Sequence, residues 1–146
     1  MFDSISYELI LGVHIIAFVF NIALVVISDF LGLMWVAGKM SVLPNKFIII
    51  AHRAIWFGLS VSIVSGYILF SGASEYLLTV PAFYTKVIFV LALLINSFLI
   101  SSHIKLATSQ TFKETSVGER WKLFISGGVS FISWVGVVVS AQFLGL

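Results

Sequence analysis

Six ionisable side chains interrupt stretches that are otherwise almost wholly apolar: His14, Asp29, His52, Arg53, Lys86 and His103. These residue types suit two kinds of chemistry. A neutral imidazole is a good axial ligand for haem iron, and two histidines from facing helices at one depth are the arrangement that holds a b-type haem in a bundle. Asp29, His52 and His103 together also have the ligand types of a hard-metal or zinc site, although no HExxH motif accompanies them. Neither chemistry is available unless the chain brings these residues to one place.

The chain has 146 residues, 60% hydrophobic and 10% charged. Soluble domains have about 45–50% apolar and about 25% charged residues, so an ordinary globular protein is excluded. The absence of cysteine excludes disulfides, thiolate metal sites and haem c attachment. With a pI near 9.1 nucleic acid is the first thought, but no basic, soluble stretch supports it.

Four apolar runs, roughly 9–37, 47–70, 82–106 and 121–143, each reach the ~20 residues that a helix needs to cross a bilayer. The first is not a signal peptide, being too long and preceded by Asp3 and Glu8 where a basic region belongs. The connections "GKMSVLPN", "SGASEYLLTV" and "ATSQTFKETSVGER" are short, which forces neighbours to run antiparallel. The expected fold is all-α: an integral membrane four-helix up-down antiparallel bundle, a single transmembrane domain over residues 1–146. Lys39, Lys46, Arg53, Lys105, Lys113, Arg120 and Lys122 fall toward loops one-two and three-four, and Lys86 alone toward the other side. The positive-inside rule then puts both loops in the cytoplasm and both termini outside, as in a bacterial inner membrane.

Depth sorts the ionisable groups. Asp29 lies late in helix one, His52 early in helix two and His103 late in helix three, giving an inner cluster. His14, Lys86 and Gln142 form an outer one. Facing agrees: His14, Asn21 and Ser28 recur every seven residues, as do Asn96 and His103. Helix four has serines and glycines at helical spacing, which reads first as close helix packing.

Around a haem, Trp56 would pack on the macrocycle and Arg53 would pair with a propionate at the cytoplasmic edge. The plainer reading of Arg53 is an interfacial, snorkelling side chain. His52, as a polar group in hydrocarbon, requires a partner, and His103 or Asp29 is the expected one.

Three segments carry a family resemblance. "LGVHIIAFVF" resembles the first helix of the HemJ-type protoporphyrinogen oxidases, "SGYILF" the Gly-containing end of their second, and "FYTKVIFVLALLIN" their Lys-led third. The last is also similar to copper-resistance CopD-type membrane domains. Order and spacing agree over about the first 105 residues. The resemblance implies a four-helix integral membrane fold with haem and redox work, His14 as a haem or active-site ligand, and Lys86 as a functional lysine. The chain departs from it at Asp29, where that family has arginine, and in "ERWKLFISGG", where it has a polar segment entering helix four.

These readings converge on a small, cytochrome b-like haem-binding or redox protein with haem b as cofactor. Its partners would be the lipid bilayer and quinone or another membrane redox protein, with a homo-oligomer and an oxidoreductase activity of its own left open. Two alternatives stand beside it. One is a non-enzymatic accessory or assembly subunit of a membrane complex. The other is a metal or proton transporter using Asp29 and the histidines.

Overall fold

The computed structural model describes residues 4–144; Asp3 and the C-terminal Leu146 lie outside them. The chain forms α1 (Ser4–Val36), α2 (Asn45–Leu77), α3 (Pro81–Ser109) and α4 (Val117–Gln142), with one 3-10 turn, Phe112–Glu114, before α4. All four helices are long and apolar enough to cross a membrane, and the fold is the expected antiparallel bundle. At 1.5 Å per residue the 33 residues of α1 or α2 extend about 50 Å, beyond the ~30 Å hydrocarbon layer. Their ends therefore reach the interface or the helices tilt.

Helix α2 runs seven residues past its expected end. "SGASEYL" reads as a loop because Gly and Ser punctuate chains, yet here it continues the helix through one non-helical residue, Ala73, at φ −134° and ψ 22°. The connection to α3 shrinks to Leu78, Thr79 and Val80. Pro81 then starts α3 in the first-turn position, where its missing N–H costs nothing. Helix α4 begins with a reciprocal cap: Ser116 Oγ accepts the Glu119 N–H, and Glu119 Oε2 accepts the Ser116 N–H at 2.9 Å.

The bundle is two hairpins. Helix α1 packs along α2 and α3 along α4, whereas α2 touches α3 only sparsely. Small and polar residues line the seams, since apolar side chains gain nothing by leaving lipid for protein. Ser126, Ser130, Ser133 and Ser140 are all buried on α4. In the second hairpin the Asn96 amide N–H donates to the Ser126 carbonyl at 3.0 Å, and Asn96 Oδ1 accepts the Ser126 hydroxyl at 2.8 Å. In the first hairpin the fully buried Asn21 (0% exposed) rests on Gly58, and a Cβ there would run into its side-chain oxygen. Neither polar atom of Asn21 has a partner.

Apolar burial concentrates at the end where the α1–α2 and α3–α4 loops lie. Trp35, 2% exposed, clusters with Leu43, Ile48 and Ala107. Its indole N–H donates to the Gln110 carbonyl at 3.0 Å, and its ring meets Phe112 edge-on at 5.3 Å. The Leu43 N–H donates to the Ala107 carbonyl at 2.9 Å. These contacts tie the two hairpins together at one end and floor the space between them.

Candidate functional site

Between the hairpins lies a cavity of about 710 Å³ lined by residues of all four helices, Asp29, His52 and His103 among them. The inner cluster expected from depth thus opens onto one cavity. It does not assemble as expected in detail. The partner of His52 is Ser101, with Nε2 3.0 Å from the Ser101 hydroxyl oxygen, and the Trp56 indole N–H also donates to Nε2 at 3.2 Å. His103 sits two residues beyond Ser101, about 200° further round α3, so it cannot share that direction. Its other side faces Glu119 and Lys122 of α4 across the α3–α4 groove. His103 Nδ1 is buried with no hydrogen-bond partner. Asp29 is exposed at the rim of the cavity.

Among the described residues no three His, Asp or Glu side chains form a group able to hold a metal ion. Asp29, His52 and His103 therefore share a cavity without making a metal centre. Arg53 is exposed and is not among the residues lining the cavity. Trp56 stands behind His52 and packs edge-on against Phe98 of α3 at 4.8 Å. Trp134, which does line the cavity, touches Phe18 of α1 at 5.5 Å and so bridges the hairpins.

No family model, curated protein or solved structure matches the chain.

The outer residues meet in part. His14 Nδ1 lies 3.0 Å from Ser65 Oγ on α2, and its ring lies over Gly66, where a Cβ would come within 3.2 Å of Cε1. Lys86 of α3 is half-buried. Gln142 is exposed and does not join them. The partners of both His14 and His52 are serines, neither of which the sequence reading singled out. A signal was available in their position: Ser65 and Ser101 fall at the depths of His14 and His52 on the neighbouring helix.

The electrostatics of the cavity wall are informative. It carries one carboxylate and two imidazoles and no lysine or arginine, although the chain has eight of the latter two combined. Its α2 and α3 walls are made of buried or half-buried residues such as Leu59, Leu93 and Asn96, whereas the α1 and α4 walls include Phe30, 60% exposed, Leu33, 65% exposed, and Phe131, 67% exposed. The cavity is closed on one side and open on the other.

Proposed function

We propose that this integral membrane protein holds a flat, largely apolar redox group, haem b or a quinone, in the cavity between its hairpins. The observation that supports this is the convergence of Asp29, His52 and His103, from three helices, on one cavity of about 710 Å³. That volume is within the range of about 300–1,000 Å³ typical of small-molecule sites, which pair apolar walls with a few polar groups.

For haem b, His103 lines the cavity and would be the ligand residue, its ring turning to present a nitrogen, and Trp134 and Phe131 offer aromatic faces. For His52 to hold the group through Nε2, that nitrogen would have to release Trp56 and Ser101. A bound haem would supply one-electron transfer; the chain's own contribution is to exclude water and fix the imidazole. The distant likeness to HemJ-type and CopD-type proteins supports the same class of work, with His14 in place of the inner histidines.

The absorption spectrum of the detergent-purified protein tests this. A Soret band with reducible α and β bands, lost in His103→Ala and retained in His14→Ala, is the expected result for haem at the inner site. Loss in His14→Ala alone would move the haem to the outer end. A colourless protein of normal stability removes haem altogether.

A reading as an accessory or assembly subunit draws on the sparse contact between the hairpins, which a partner subunit would reinforce. It predicts a colourless protein whose cavity variants behave like the wild type.

A further inference from the structure

We propose that the occupant of this cavity is uncharged and arrives sideways from the lipid between α1 and α4: the headgroup of a membrane quinol or quinone. The inference rests on the reading above that the cavity binds a ligand, and it narrows the ligand's class and its route.

The route follows from which walls are open. Helices α1 and α4 are not packed neighbours, and the ring contact of Phe18 with Trp134 is where they meet. Toward the loop end from that contact, Gly32 on one lip and Gly127 and Gly128 on the other all line the cavity, and a Cβ at any of the three would meet nothing within 4 Å. The flanking side chains, Phe30, Leu33 and Phe131, are largely exposed on the surface that faces lipid. The end of the cavity toward the loops is floored by Trp35, Leu43 and Ala107. A solute from the aqueous side would have to pass that cluster; a lipid-soluble one would not.

The class follows from charge. A ligand with carboxylates or phosphates would place anions beside Asp29 on a wall with no lysine or arginine. An anion left without a cationic partner in a low-dielectric site carries a large desolvation penalty. A quinol hydroxyl instead donates a hydrogen bond, which an ionised carboxylate or an unprotonated imidazole nitrogen accepts. Asp29, exposed at the cavity rim and without a partner among the described residues, is placed to accept such a bond. A ring with polar groups at its edge and apolar faces meets both demands.

The test is a titration of the full chain in nanodiscs with decyl-ubiquinone, read by quenching of tryptophan fluorescence, since Trp35 and Trp134 line the cavity. Saturable quenching is expected, weakened by about tenfold or more in Gly127→Leu and in Gly32→Leu, which narrow the gap from opposite lips. Gly12→Leu, also made in open space but outside the cavity, should titrate like the wild type. A sulfonated, water-soluble quinone should give no saturable quenching, a result that needs no variant to fold. Quenching that rises linearly with decyl-ubiquinone, equal saturation by the sulfonated quinone, or folded leucine variants that titrate like the wild type would each overturn the proposal. The two readings separate in one preparation: a Soret band without saturable quenching ends this inference and leaves haem standing, and saturable quenching of a colourless protein does the reverse.

Discussion

The contact between His14 and Ser65 has a fixed direction. Ser65 Oγ lies 2.7 Å from the Val61 carbonyl oxygen, which can only accept, so the hydroxyl proton is on that bond. The 3.0 Å contact must then run from His14 Nδ1–H to Ser65 Oγ, which leaves Nε2 of a neutral imidazole without its proton. Nitrogen-15 NMR of ring-labelled protein at neutral pH should show the Nδ1–H tautomer at His14. Ser65→Ala should shift that equilibrium and lower stability by about 1–3 kcal/mol, the cost of a buried donor left unpaired; an unchanged melting temperature would contradict it.

Asn21 and Gly58 are matched in shape and not in hydrogen bonding. Gly58→Ala drives a methyl into the Asn21 amide and should cost about 1–3 kcal/mol, as overpacking does. Asn21→Ala makes room for that methyl, so the double variant should be more stable than the two single losses added together. Strict additivity in detergent melts would show that the two side chains do not meet.

The two buried asparagines should respond oppositely to leucine. Asn96→Leu leaves the Ser126 hydroxyl without its acceptor and should destabilise by about 1–2 kcal/mol, above the ~0.6 kcal/mol average for hydrogen bonds between membrane helices. Asn21→Leu removes an amide that pairs with nothing and should be neutral or stabilising. Steric-trapping or SDS-unfolding measurements on the pair check the sign.

The loop before α4 carries the pH dependence. The Thr111 backbone N–H donates to Glu114 Oε2 at 2.8 Å, and this bond, with a second from the Thr111 side chain, holds the Glu114 carboxyl below its usual value of 4.5. A depressed folded-state value means that this contribution is complete above the unfolded value and is lost as pH falls through the folded one. Unfolding measured across pH 3–6 should therefore be less acid-sensitive in Glu114→Gln than in the wild type. A parallel response in both proteins would rule the cap out as the cause.

The seven basic residues toward the end of the α1–α2 and α3–α4 loops predict an orientation by the positive-inside rule. Reporter fusions at the C-terminus should be active only outside the cytoplasm, and fusions within residues 108–118 only inside it. A cytoplasmic C-terminus would reverse the assignment.

The architecture was legible because four runs of about 20 apolar residues permit little else in a bilayer. The depth of Asp29, His52 and His103 was legible too, since residue count along an antiparallel helix converts directly into height. What the sequence hid was facing. His52 and His103 are level, but a bond from His52 to Ser101 turns position 103 toward α4, and no reading of α3 alone says which of its faces meets α2. The continuation of α2 through "SGASEYL" was hidden for another reason: Gly and Ser are weak helix formers, and tertiary packing overrides that preference here, where Leu77 at the end of the segment is 3% exposed.

The sparse joint between the hairpins has a consequence for biogenesis. Each hairpin closes on itself through neighbouring segments of chain, Asn21 on Gly58 in one and Asn96 on Ser126 in the other, so each can mature as soon as its second helix leaves the translocation machinery. Only the docking of one hairpin on the other remains, and it includes His52 on Ser101, Trp56 on Phe98, Phe70 on Phe83, Phe18 on Trp134 and the Trp35 cluster. The cavity lies in that joint, so whatever fills it acts as mortar, and it favours the docked form by the free energy with which it binds.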